Sequence, residues 1–165
     1  MKRLLWSGVV CLFVAAAMTL SGGQDRSANE GIRRQFVGAW RLARLEQPGA
    51  DGKIRNADST GLLVFTGDGH LSVQVMERNP KAQAVAGPEQ YSQGGYEASY
   101  GTYQIDERSH TFTFHVEGAL VRSLVGKDLP RAFELSGKEL IVKSARPDER
   151  WRVVWERYQD TSGNH

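Results

Sequence analysis

Short runs of alternating apolar and polar residues, separated by Gly, Asp, Ser or Pro, dominate the chain from residue 33 onward. Alternation with a period of two places successive side chains on opposite faces, which is typical of strands with one buried face. A short helical turn is predicted first, around Ile32–Phe36. Eight strands are predicted after it, at about Gly38–Glu46, Gly61–Thr66, His70–Glu77, Ser99–Asp106, His110–Gly118, Pro130–Leu135, Glu139–Ser144 and Arg150–Tyr158.

Several links between these strands are short, which indicates antiparallel neighbours. Gly67-Asp68-Gly69 is a strong hairpin signal, because a tight turn needs residues that accept a positive φ. Glu107–Ser109 and Ser136–Lys138 join two further pairs of strands. An up-and-down barrel connects such strands more economically than a sandwich with long crossings. We therefore predict an all-β fold, an antiparallel up-and-down barrel of about eight strands.

The first and last predicted strands carry residues that would meet if the sheet closes. Gly38 and Trp40 lie at the start of the first strand, and Arg157 lies near the end of the last. When two such strands pair antiparallel, Trp40 and Arg157 become neighbours and the guanidinium can lie over the indole ring. We predict that Gly38, Trp40 and Arg157 close one end of the barrel. The open mouth would then lie near three loops, those after Glu46, Glu117 and Ser144.

Two longer segments interrupt the strand pattern. Pro48–Ser59 is predicted to be a loop. Asn79–Ala98 is longer than a hairpin link requires, and it contains several Gly and Pro residues. Within it, Glu89–Glu97 could form a weak helix that begins after Pro88, since proline suits the first helical turn. This segment could cover an end of the barrel as a lid or plug, or it could be a tolerated surface excursion.

The N-terminus has the composition of an export signal. Lys2 and Arg3 precede an apolar run, Leu4–Leu20, and small residues follow, with cleavage expected after Ser21 or Gly23. The alternative is an uncleaved membrane anchor, because the apolar run approaches the length of a spanning helix. We expect a signal peptide at 1–23 and an exported protein, periplasmic or extracellular. The remaining divisions are a flexible leader at 24–32, the barrel at 33–158 and a disordered tail at 159–165.

Composition narrows the chemistry of the mature chain. The single cysteine, Cys11, lies inside the predicted signal, so a disulfide and a thiol nucleophile are both excluded after cleavage. The chain has 21 Lys and Arg against 19 Asp and Glu, and losing Lys2 and Arg3 makes the two numbers equal. A neutral chain offers no electrostatic case for binding nucleic acid or an anionic membrane. We therefore expect neither partner for the mature protein, and its oligomeric state is left open.

Four motifs occur in an order that resembles a known family. They are Tyr100-Gly101-Thr102-Tyr103 with Asp106, His115-Val116-Glu117-Gly118, Arg131-Ala132-Phe133-Glu134-Leu135-Ser136-Gly137 and Trp155-Glu156-Arg157. Together they are similar to the lipocalin-like domain family of small bacterial proteins, over about Phe36–Tyr158. The resemblance implies a calycin-type barrel with an internal pocket, and it implies no particular reaction. Family members often carry a second histidine at the position of Phe114, so a role that needs two imidazoles is not expected here.

Two charged residues share one face of the fifth predicted strand. Alternation places His115 and Glu117 on the face opposite Phe114 and Val116. Since the inner face of a small barrel is normally apolar, this pattern aims His115 and Glu117 at solvent. If they were buried instead, they could act as an acid–base pair, because low dielectric and proximity would help the histidine to hold a proton.

Two further residues are candidates for the pocket. Arg131 shares a strand face with Phe133 and Leu135, so it could point inward and bind a carboxylate. Tyr103 shares a face with Ile105 and could supply a hydroxyl. The candidate ligand-binding set is therefore Tyr103, His115, Glu117 and Arg131, although each is also compatible with a purely structural role.

The leading hypothesis is a binding protein that holds a small apolar or amphipathic molecule, which could carry an acidic group. The alternative is an isomerase or cyclase that uses His115 and Glu117. A third is a packed scaffold for a protein partner, which would need an exposed apolar patch. We predict no cofactor and no metal, because no phosphate loop, dinucleotide fingerprint or nucleophile elbow is present and the histidines are scattered.

Overall fold

A computed structural model of the protein describes residues 30–80 and 95–159. The predicted signal peptide, the leader up to residue 29 and the tail from residue 160 lie outside the described residues. So does 81–94, which holds most of the predicted lid or plug and of the predicted Glu89–Glu97 helix. The end of that helix prediction is wrong, because Tyr96 and Glu97 belong to a strand.

The described residues form one antiparallel sheet that closes on itself. Its strands follow one another around the sheet, with β2 extending one edge, and β9 pairs back with β1. This closure confirms the predicted up-and-down barrel. The strands are β1 (Gly38–Pro48), β2 (Ile54–Asn56), β3 (Ser59–Phe65), β4 (His70–Glu77), β5 (Tyr96–Asp106), β6 (Thr111–Ala119), β7 (Asp128–Ser136), β8 (Glu139–Ser144) and β9 (Arg152–Arg157).

Two elements were not predicted from the pattern. Strand β2 lies within the predicted loop Pro48–Ser59 and pairs with the last residues of β1, Glu46–Pro48. A 3-10 helix, Arg122–Leu124, follows β6 on the way to β7. Both are three residues long, which is too short for a period of two or of 3.6 to be recognised.

Residues 30–36 form a short helix, α1, against one end of the barrel. The helix begins at residue 30, two residues before the predicted turn at Ile32–Phe36. Phe36 is fully buried, and its ring makes edge-to-face contacts with Phe65, Phe112 and Phe133 at centroid distances of 4.9 to 5.9 Å. Such aromatic pairs are favourable beyond the area that they bury. They fill this end of the interior with side chains.

Trp40 and Arg157 seal the same end. They are direct partners in the β1–β9 pairing, and the guanidinium lies 4.0 Å from the centre of the indole ring. Nε1 of Trp40 donates to the Phe36 carbonyl at 2.9 Å, and Nη1 of Arg157 donates to the Val37 carbonyl at 2.7 Å. A Cβ on Gly38 would stand 2.7 Å from that Nη1, so glycine leaves the room that the guanidinium occupies. The predicted closing contact is therefore present.

An irregularity in β1 sets which of its later residues face inward. The register with β9 shifts between Leu42 and Arg44, so one extra residue is accommodated on β1. Beyond this β-bulge, Leu45 and Gln47 face the interior. Without the extra residue, strict alternation from Leu42 would direct both side chains to the outside.

Candidate functional site

In the described parts of the chain, 30–80 and 95–159, the interior is open at the end opposite Trp40. A cavity of about 450 Å³ lies there, within the range of roughly 300–1,000 Å³ that is typical of small-molecule sites. Its lining is mainly apolar, and every long strand of the barrel contributes to it. Trp40 and Phe36 are not part of the lining. Representative apolar lining residues are Leu63, Val73, Phe114, Leu129, Val142 and Trp155. The described part of the barrel is therefore filled with side chains at one end and hollow at the other.

The mouth of the cavity lies where the strand directions predicted it. Pro48 at the end of β1, Leu124 after β6 and Trp151 just before β9 all line the cavity. These residues follow the strand ends that the sequence placed around the open mouth, near Glu46, Glu117 and Ser144. The described residues that line the cavity on this side do not include Trp40 or Arg157.

Arg131 brings a positive charge into this apolar cavity. It lies on β7 between the inward residues Leu129 and Phe133, and it is half-buried. Its guanidinium lies 5.0 Å from the ring of Trp151, and Nη1 donates to the Pro130 carbonyl at 3.2 Å. Burial lowers the pKa of the Arg131 guanidinium. Among residues 30–80 and 95–159 it forms no ion pair with a carboxylate, so its charge is available to a ligand.

A hydrogen-bond network holds the ring under Arg131 in place. Nε1 of Trp151 donates to Glu149 at 3.2 Å, and the same carboxylate accepts from Oγ of Ser144 at 2.6 Å and from Nη1 of Arg146 at 2.9 Å. The bond from Ser144, followed by that from Trp151, lowers the pKa of Glu149. The Glu149 carboxylate therefore binds Ser144, Arg146 and Trp151, and its bond to Trp151 fixes the indole ring on which the Arg131 guanidinium lies.

Tyr103 faces inward but lies at the wrong end for the cavity. Its ring packs edge-on against Phe65 with centroids 4.9 Å apart, and its hydroxyl donates to the Thr66 carbonyl at 3.0 Å. Burial raises the pKa of this hydroxyl. The prediction that Tyr103 supplies a hydroxyl to the pocket is therefore wrong. Alternation assigned its face correctly, whereas its depth along the barrel follows from strand tilt.

His115 and Glu117 lie on the outside of the barrel. Both are exposed, whereas Val116 between them and Phe114 just before His115 are buried. Nδ1 of His115 lies 2.7 Å from Oδ1 of Asp128 on the neighbouring strand, so its partner is not Glu117. A ligand-binding role inside the barrel is wrong for both residues. The acid–base alternative loses its geometric basis for the same reason, since neither side chain reaches the cavity.

Three polar residues of the site were missed in the sequence: Gln47, Glu97 and Ser99. Ser99 and Glu97 both line the cavity from β5, on the same face as Tyr103. Ser99 is 5% exposed and is a buried polar residue of the core. Alternation with Tyr103 would have located Ser99. Glu97 was missed because the strand was predicted to begin at Ser99, which left the glutamate at the end of the possible weak helix Glu89–Glu97.

Two searches of the described residues concern other kinds of site. No group of three or more His, Cys, Asp and Glu within residues 30–80 and 95–159 has the arrangement to hold a metal ion. Within the same ranges, no helix combines the length and the apolar character that crossing a bilayer requires.

Comparison with known proteins adds the following similarities. A family described as the lipocalin-like domain matches residues 37–158. No curated protein matches the sequence. A lipocalin-like protein from Bacteroides uniformis has a TM-score of 0.45 and 15% identity, covering 75% of this chain and 99% of its own. An uncharacterized protein from Bacteroides eggerthii has a TM-score of 0.44 and 17% identity, covering 74% of this chain and 99% of its own.

Proposed function

Because the chain belongs to the lipocalin-like domain family, we propose that it is an exported binding protein for a small amphipathic molecule. The apolar body of the ligand lies in the barrel cavity, and an acidic group of the ligand pairs with Arg131. The observation that carries this proposal is a half-buried guanidinium, without a carboxylate partner in the described chain, inside a hollow apolar interior.

The apolar lining accounts for the affinity and Arg131 for the orientation. Burying apolar ligand surface contributes about 25 cal/mol per Å² before the costs of association are subtracted. An unpaired charge in a partly desolvated site is unfavourable, and an acidic ligand group removes that cost by charge-assisted hydrogen bonding. An amphipathic acid matches both parts of the site at once.

Replacing Arg131 with methionine is expected to weaken the binding of decanoate by about tenfold or more, because a hydrogen bond to a charged group is lost. Methionine keeps most of the side-chain volume and adds no charge. The binding of decanol, which has the same chain and no charge, is expected to remain close to that of the unmodified protein. Isothermal titration calorimetry with both compounds measures the two affinities.

The matched control for this substitution is Arg34→Met. Arg34 is exposed on α1, at the closed end of the barrel. Its replacement is expected to leave both affinities unchanged. Unchanged decanoate binding by Arg131→Met would discard the anchoring role of Arg131. If the unmodified protein binds neither decanoate nor decanol, the ligand-binding proposal itself fails.

Export is supported by the N-terminal sequence, in which Lys2 and Arg3 precede the apolar run Leu4–Leu20 and small residues follow. The protein recovered from outside the cytoplasm is expected to begin at Gly22 or Gln24. Intact-mass spectrometry of that fraction measures the cleavage directly. Recovery of the full-length chain in the membrane fraction would instead establish the uncleaved anchor.

A further inference from the structure

The cavity carries a negative charge as well as a positive one. Glu97 lines the same cavity as Arg131 and is exposed at the start of β5. Its carboxylate forms no hydrogen bond or ion pair with any side chain in the described parts of the chain, including Arg131. Two opposite charges therefore face one apolar space without neutralising each other.

The two charges lie at different depths. Arg131 is half-buried and lies two residues along β7 from Phe133, whose ring contacts Phe36 at the closed end. Glu97 is exposed and lies six residues along β5 from Tyr103, the residue of that strand at the closed end. The positive pole of the site is thus the inner one and the negative pole the outer one. A ligand that enters through the mouth places its innermost polar group by Arg131 and its outermost polar group by Glu97.

The surrounding charges leave this dipole in place. Arg146 and Glu149 lie near Arg131, but they are paired with each other at 2.9 Å. Burial lowers the pKa of Arg131, and the negative charges of Glu149 and Glu97 act in the opposite direction. Among the described residues that line the cavity, Arg131 and Glu97 are the charged ones, and together they give the lining its charge pattern.

Building on the ligand-binding function proposed above, we infer that the ligand is a zwitterionic amphiphile. Its anionic group, next to the apolar chain, lies against Arg131, and its cationic group lies outward beside Glu97. A ligand that carries only an anion would leave Glu97 facing a like charge across a partly desolvated site, which is unfavourable. A head group with the anion inside and the cation outside is complementary to both poles.

Three probes with the same decyl chain separate the possibilities. Decylphosphocholine carries an inner anion and an outer cation. Decyl methyl phosphate carries the inner anion alone, and N-decyl-N,N-dimethylglycine carries the two charges in reversed order. Affinities are measured by calorimetry at concentrations below micelle formation. The unmodified protein is expected to bind decylphosphocholine about fivefold more tightly than decyl methyl phosphate, and the reversed zwitterion most weakly.

Glu97→Gln is expected to remove the preference for decylphosphocholine over decyl methyl phosphate, mainly by strengthening the binding of the anion. The matched control is Glu117→Gln, since Glu117 is exposed on the outside of the barrel. This control is expected to keep the fivefold ratio. Arg131→Met is expected to weaken both phosphates together, which reports on the proposed function separately.

Equal affinities of the unmodified protein for the two phosphates would overturn the zwitterion inference. So would a preference that survives Glu97→Gln, or tighter binding of the reversed zwitterion. In each of these cases, a loss of affinity in Arg131→Met would still support an acidic ligand at that residue. Absence of binding by all three probes would instead contradict the ligand-binding function from which the inference starts.

Discussion

Replacing Trp40 with alanine is expected to lower the free energy of unfolding by about 3–5 kcal/mol, the usual cost of truncating a large buried aromatic residue. Trp40 is 0% exposed, donates to the Phe36 carbonyl and carries the Arg157 guanidinium on its ring. The substitution would leave a cavity and would also remove the contact that joins the first and last strands. Since domains of this kind are stable by only about 5–15 kcal/mol, the loss is a large fraction of the total.

Equilibrium unfolding in urea, followed by circular dichroism, measures this effect. Tyr158→Ala is the control, because Tyr158 is an aromatic residue near the same strand end that is 51% exposed. Its truncation is expected to change stability by no more than about 0.5 kcal/mol. Trp40→Phe keeps an aromatic ring while removing the hydrogen bond to Phe36, so its effect should fall between the two. A Trp40→Ala protein as stable as the unmodified one would contradict the closing role.

Gly101→Ala is expected to destabilise the barrel by about 3 kcal/mol, and to lower the melting temperature by about 10 °C. A Cβ at Gly101 would stand 1.9 Å from the His115 carbonyl oxygen and 2.9 Å from the Glu117 amide nitrogen. Both contacts are with backbone atoms, which cannot move aside as a flexible side chain can. The close approach occurs where the β5–β6 register shifts, between Tyr100 and Gly101.

Gly67→Ala is the matched control for this substitution. Gly67 lies in the turn between β3 and β4, and a Cβ there would meet no atom within 4 Å. Its melting temperature is expected to stay close to that of the unmodified protein, as measured by differential scanning calorimetry. If Gly101→Ala melts at the same temperature as Gly67→Ala, the two strands do not approach as closely at the bulge as the structure indicates.

The strand pattern predicted most of the fold from local chemistry. The bounds of β4 and β8 match the predicted strands His70–Glu77 and Glu139–Ser144, and both are flanked by glycine turns in which Gly69 and Gly137 have positive φ. Alternation and turn residues suffice in such cases, because both depend only on neighbours in the sequence. Strand β2 was missed because its three residues show no alternation, and they form a strand only by pairing with the end of β1.

The candidate site was predicted less well, for an identifiable reason. Arg131 reaches the cavity, Tyr103 faces inward at the filled end, and His115 and Glu117 face outward. For the last two residues, periodicity alone favoured the correct face, and the ligand-binding hypothesis required the opposite one. Glu97 was missed because β5 begins at Tyr96, before Ser99, where the alternating pattern predicted its start.

By itself, the sequence determined the eight long strands, most of their inward faces and the closing pair, Trp40 and Arg157. A peptide in a strand must alternate its side chains, and antiparallel order brings the two chain ends of a closed sheet together. Only the tertiary structure decided which inward residues surround open volume. Strand tilt, the β-bulge in β1 and the aromatic cluster around Phe36 set the depth of each residue, and these depend on contacts between strands far apart in the chain. The same contacts place Arg131 and Glu97 at one cavity.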